Sequence, residues 1–264
     1  MAIATCYMLK ALKKQRTNAN FRMICSLASR TLMGQIPVRW TINTKRTAII
    51  VVDMQGVFCN RDGAVYIPDA MKVVDPILRI LDAGRKADIP IIYLRHVVRG
   101  DGSDTGRMRD LYPGVDAILD RSLPSVDIIE PLKPLPGDIV VDKLFFSGFH
   151  NTDLDTILRA RDIDTIVVCG TVTNVCCEST VRDAVHREYK VIVVSDACAA
   201  QPYPDMGWGA LTAEEVQRVT LTVMAHEFGE VTHTRDLIGR LRLSQDHSAG
   251  SHTLASKTKV SSKA

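Results

Sequence analysis

No aspartate or glutamate precedes Asp53, although Lys10, Lys13, Lys14, Arg16, Arg22, Arg30, Arg39, Lys45 and Arg46 all do. An acid-free start carrying Arg, Lys, Ser and Thr has the composition of a mitochondrial transit peptide. It equally suits a disordered basic arm, or an upstream extension with synthesis beginning at Met23 or Met33, and the three readings stay open. No apolar run approaches the ~20 residues a membrane-spanning helix needs, so an integral membrane protein is not expected. The seven cysteines are spaced neither as a disulfide framework nor as a paired zinc motif, which fits a reducing, cytoplasmic-type compartment. A net charge of +3 is too small to argue for nucleic acid. No Gly-x-Gly-x-x-Gly follows the first apolar run, which removes a dinucleotide-binding reading. No internal repeat or second domain is visible.

What is present is alternation. Short β-branched runs at 47–53, 89–95, 138–142, 164–170 and 190–196, with a sixth at 229–234, read as strands. They are nearly continuous in apolar residues, as parallel strands covered on both faces are. Between them lie segments of helical spacing: Val73, Val74, Ile77, Leu78, Ile80 and Leu81; Leu154, Ile157 and Leu158; Val181, Ala184 and Val185; Val216, Val219, Val223 and Met224. The pattern predicts a three-layer, doubly wound α/β domain over 41–243. Its sheet is mainly parallel and six-stranded, with helices on both faces. Residues 1–40 read as a basic extension and 244–264, rich in Ser, Lys, His and Thr, as a disordered tail. The irregular stretch 97–136 is expected to supply loops over the site.

In such a sheet ligands bind beyond the carboxyl ends of the strands. Asp53 ends the first strand, Lys143 follows the third, and Cys176 lies just after the fourth, ahead of a helix expected over 178–188. A thiol has an ordinary pKa of roughly 8.5, and a helix N-terminus and a cation both favour its thiolate. Asp53 could take the thiol proton and return it to a leaving nitrogen, while backbone amides before Cys176 could receive an oxyanion. Taken singly, Cys176 would read as a buried structural thiol, Asp53 as a strand-end cap and Lys143 as a surface charge. Their joint placement favours nucleophilic catalysis. Gln55, Phe58, His96 and Phe146 stand beside these positions and are candidate substrate contacts. Lys143 and Arg95 make an anionic substrate reasonable.

Three segments, TAIIVVDMQ, DKLFFSGFHNTDLDTILRARDID and VVCGTVTNVCCESTVRDAVHREYKVIVVSDA, resemble the isochorismatase-like cysteine hydrolase superfamily over roughly residues 47–240. Within it, SGFHNTDLD and TNVCCEST are most similar to the ureidoacrylate amidohydrolases. The resemblance implies an Asp53–Lys143–Cys176 triad and a cis peptide between Thr171 and Val172. It further implies an oxyanion hole from the amides of Val172 and Cys176, and hydrolysis of a small amide, carbamoyl or ureido compound through a thioester acyl-enzyme. It implies no cofactor and a homodimer or homotetramer. Two departures concern the triad's neighbours: Gly56 and Val57 where the family carries Asn or Asp, and Cys177 where it carries Val. The loop 99–104 differs from the ureidoacrylate enzymes. The Asp-x-His motif of metal-dependent members is replaced by Arg95-His96-Val97-Val98, so no metal is expected. The alternatives are vinyl-ether hydrolysis of the isochorismate type, which needs no thiol, and a catalytically silent binding relative.

Overall fold

The computed structural model describes residues 38–244. The basic extension up to 37 and the tail from 245 lie outside the described residues. Six parallel strands form one sheet: β1 Thr47–Val52, β2 Ile91–His96, β3 Ile139–Lys143, β4 Thr165–Thr171, β5 Lys190–Ala199 and β6 Glu230–Thr232. Their order is β3-β2-β1-β4-β5-β6. The expected sheet is mainly parallel; the observed one is wholly so. All of β1 is buried because it lies inside the sheet and under both helical layers. β3 is an edge strand and alternates, with Val140 exposed and Val141 buried.

Local chemistry sets the strand limits. β2 begins at Ile91 and not at 89, since Pro90 has no N–H to give to the ladder; its carbonyl still accepts from the amide of Ile49. β5 runs on to Ala199, beyond the expected 196. A register shift between Val168 and Gly170 lets it continue, pairing Gly170 with Cys198 and Thr171 with Ala199. Gly170 sits at φ 120°, and a β-carbon there would lie 2.1 Å from the Val52 carbonyl oxygen. Only glycine permits that approach of β4 to β1. β6 stops at Thr232 because Thr234 opens the next helix, its amide and hydroxyl both donating to Asp196.

The main helices are α1 Val74–Lys86, α2 Leu154–Arg159, α3 Glu178–His186, α4 Ala213–Val223 and α5, residues 234–244. Right-handed crossovers put α1 on one face and α2, α3 and α4 on the other. α5 returns beside α1, with Arg79 and Asp82 facing Ile238 and Arg242 across a groove. α1 buries Val74, Ile77, Ile80 and Leu81, but Leu78 is exposed, and so is Val219 of α4. Each lies at the margin of an apolar stripe that continues the periodicity without reaching the core. Pro76 sits in the first turn of α1, where its missing N–H costs nothing. Arg39 and Trp40, assigned from sequence to the extension, are tied to the sheet. Both of their amides donate to Glu230, which also pairs with Arg240.

Candidate active site

The sheet changes winding direction between β1 and β4, and the crevice beyond their carboxyl ends holds the three reactive side chains. Asp53 directly follows β1 at φ 47°, a left-handed backbone that turns its carboxylate back over the sheet. Its amide donates to Leu94 and its carbonyl accepts from Thr171 Oγ1, fixing it between β2 and β4. Lys143 is the last residue of β3, two strands away, and its long stem spans the gap. Cys176 lies in a π-helical turn, Thr173–Cys177, that runs without interruption into α3. The helical path therefore begins before Cys176, five residues earlier than the expected start at 178.

Lys143 Nζ lies 2.8 Å from Asp53 Oδ2 and 3.6 Å from Cys176 Sγ, and donates to the Phe145 carbonyl at 2.9 Å. Its three protons thus have three partners. Asp53 and Lys143 are almost wholly buried and Cys176 is 5% exposed. Asp53 Oδ1 has no hydrogen-bond partner among the described residues. The peptide between Thr171 and Val172 is cis, and the Val172 carbonyl accepts from the amides of Val175 and Cys177, which flank that of Cys176.

Burial dominates the electrostatics. It lifts the Asp53 carboxyl above its ordinary pKa more strongly than the Lys143 ammonium lowers it. Burial alone would lower Lys143, but the facing Asp53 and Cys176 outweigh it and hold the ammonium charged. The Cys176 thiol is pushed up, first by burial and then by Asp53, against the pull of Lys143. Burial thus outweighs the pull of the helix end and the cation toward the thiolate. These directions favour the protonated thiol, from which Asp53 can take the proton. Passing its proton to Asp53 leaves the net charge of the three groups unchanged, so transfer inside the site avoids most of the cost of creating a buried charge.

The thiol opens into a cleft of ≈ 160 Å³. Phe58, His96 and Phe146 line it, as does the side chain of Cys176. Gln55 does not. It is fully buried, its Nε2 donating to the carbonyls of His96 and Val126 and its Oε1 accepting from the His96 amide. Both its donors and one acceptor site clamp β1 to β2 and the 126 turn, and its burial outside the cleft lining keeps it from the substrate space. His96 Nε2 lies 3.2 Å from the Leu144 carbonyl and so carries the proton; burial and then Lys143 hold the ring neutral. Its edge meets Phe146, ring centroids 6.2 Å apart. Arg95 is spent on Asp142 and Asp127, both at 2.8 Å, and lines a separate groove with Asp127 and Glu130.

The remaining wall comes from residues that sequence reasoning did not single out: Val65, Met108, Tyr112, Val115, Ile118, Leu119, Val175 and Gln201. Five of these lie in the irregular 97–136 stretch, which carries helical turns at Met108–Leu111 and Val115–Ile118. Their only sequence signal is isolated apolar character within a polar loop. Asp53, His96 and Cys176 present potential ligand atoms within 4.8 Å of one another. The Lys143 ammonium already occupies the cationic place in that group, so the set does not read as a vacant metal centre. Among the described residues no helix is long and apolar enough to cross a membrane.

A doubly wound parallel sheet that brings an acid, an amine and a thiol together beyond its strand ends defines an α/β protein with a cysteine at the centre of its candidate site. The Isochorismatase domain matches residues 47–236, and the chain belongs to the isochorismatase family of hydrolases. A ureidoacrylate amidohydrolase, RutB, of Agrobacterium fabrum is 33% identical over 220 residues, covering 75% of this chain and 91% of its own. Its counterpart in Caulobacter vibrioides is 34% identical over 219 residues, 75% of this chain and 92% of its own. The crystal structure of a cysteine hydrolase from Pseudomonas syringae pv. phaseolicola is 63% identical, with a TM-score of 0.78 over 80% of this chain and 100% of that one. An N-carbamoylsarcosine amidase from Thermoplasma acidophilum gives 29% identity and a TM-score of 0.58, over 72% of this chain and 96% of that one.

Proposed function

We propose that this enzyme is a cysteine-dependent amidohydrolase that cleaves a C–N bond of a small amide, carbamoyl or ureido compound through a thioester. The observation that carries the reading is the single buried ammonium touching both Asp53, at 2.8 Å, and Cys176, at 3.6 Å, with Cys176 itself lining the cleft. The amidohydrolase names of the relatives support the choice of a C–N bond.

In the first half-reaction the Cys176 proton passes to Asp53 as Sγ bonds to the substrate carbonyl carbon. Lys143 holds the thiolate as it forms and never changes its own charge. The carbonyl electrons move onto oxygen, toward the amides of Val172 and Cys176, each such donor being worth roughly 3 kcal/mol. When the tetrahedral adduct collapses, the C–N bond breaks and Asp53 returns the proton to the departing nitrogen. In the second half, Asp53 takes a proton from water, hydroxide attacks the thioester, and the acid leaves as Cys176 recovers its proton. An apolar cleft that excludes bulk water keeps these charges strong.

Ammonia release from a panel of amides and ureas tests the reading, with Cys176→Ala as the control. Hydrolysis by the parent with none by the variant is expected, together with a Cys176 acyl adduct in the intact mass of the rapidly quenched enzyme. Turnover that survives Cys176→Ala would remove the mechanism.

A further inference from the structure

We infer that the substrate's remaining portion, apart from its scissile amide, is an uncharged, ring-sized apolar group and not a carboxylate. This rests on the amidohydrolase reading and specifies what else the cleft accepts. No Lys, Arg, Asp or Glu lines the cleft among the described residues. Its walls include Phe58, Phe146, Met108, Val115 and Leu119; beside the Cys176 thiol, the polar side chains are His96, Gln201 and Tyr112, all uncharged. His96 is neutral and gives its Nε2 proton to the Leu144 carbonyl. Gln201 gives its amide N–H to Tyr203 Oη at 2.9 Å.

The two cations nearest in sequence to the lining residues His96 and Phe146 are already committed. Lys143 is bound within the triad, and Arg95 is held by two carboxylates outside the cleft. Arg109, beside Met108, is tied to the Thr105 hydroxyl and the Gly102 carbonyl. A carboxylate entering this space would lose its water and gain no counter-charge, which is among the costliest transfers a binding site can demand. An apolar ring pays no such cost. The volume of ≈ 160 Å³ is close to the roughly 150 Å³ of an engineered apolar cavity that takes benzene. The ureidoacrylate amidohydrolases, whose named substrate is a carboxylic acid, share the fold and the scissile chemistry. They need not share this wall, because most of it comes from an irregular segment and not from strand ends.

A matched pair isolates the charge: 4-methylbenzamide and 4-carbamoylbenzoate, with a methyl in one where the other has a carboxylate. We expect kcat/KM for the methyl compound to exceed that for the carboxylate by at least about 100-fold. The same preference should appear when each compound protects Cys176 from iodoacetamide. An equal or reversed preference overturns the inference, as does protection by neither. If the methyl compound protects selectively but neither compound is hydrolysed, the inference stands and the hydrolytic reading falls. Val65, 39% exposed at the cleft, offers a second handle. Val65→Arg should raise kcat/KM for the carboxylate at least tenfold. No gain in a variant that keeps the parent's denaturation midpoint would show that shape and not charge sets the choice, and would overturn the inference.

Discussion

The two halves of the site are built differently. Its base is Asp53, Lys143 and Cys176, of which only Cys176 lines the cleft; all three stand on or beside strand ends, fixed by hydrogen bonds or burial in the sheet. Its walls come largely from the irregular residues 97–136, where short helical turns present Met108, Tyr112, Val115, Ile118 and Leu119. The triad is held by the sheet, while a wall with few ladder bonds can change its composition without disturbing that sheet.

Substitutions can sharpen or break this division. Cys176→Ala should abolish turnover, by about 10⁴-fold or more, with little effect on folding. Asp53→Asn should cost on the order of 10²–10⁴-fold in kcat, yet lower the Cys176 pKa. It removes a negative charge that raises the thiol and leaves the Lys143 ammonium unopposed. The rate of Cys176 alkylation against pH reads this directly. A variant that is both inactive and harder to alkylate would contradict the arrangement. In the parent, the acid limb of kcat/KM should lie above the ordinary carboxylate range. Burial raises Asp53, so its proton-accepting form disappears as pH falls through that raised value. A limb at about 4 or below would show Asp53 to be unperturbed.

The walls should respond more gently. Phe146→Ala should lower kcat/KM by roughly 10- to 200-fold, mostly through KM, because it removes apolar contact and no reacting group. A loss confined to kcat would place Phe146 in the chemistry. Away from both regions, Arg240→Met strands the buried Glu230 carboxylate and should cost about 3–5 kcal/mol of stability. Denaturant unfolding measures that cost, and the site geometry in the surviving folded fraction should be unaltered.

The division also explains what the sequence disclosed. Strand runs such as TAIIVVD are legible because a strand covered on both faces must be continuously apolar, and the reactive residues sit at fixed offsets from those runs. Gln55 misleads because proximity to Asp53 in sequence does not show where an amide points; here it points into the backbone of β2 and the 126 turn. Leu78 and Val219 mislead because periodicity marks a stripe without marking its width. The protonation state of Cys176 could not be read from residue types, since it depends on how completely Asp53, Lys143 and the thiol are buried together. The apolar wall is illegible for a plainer reason: Met108, Ile118 and Leu119 converge only through a loop path that no periodic pattern encodes.

Lys143 belongs to an edge strand, whereas Asp53 and Cys176 follow β1 and β4 farther in. Residues 90 positions apart in the chain must meet before the ammonium can touch the carboxylate, and the thiol completes the set only from a third strand. On the proposed mechanism, catalytic competence is therefore a property of the assembled sheet and not of any hairpin, helix or fragment within it. A nascent or partly unfolded chain carries the same three side chains but is chemically silent, so the appearance of turnover during refolding would time the docking of β3 onto β2.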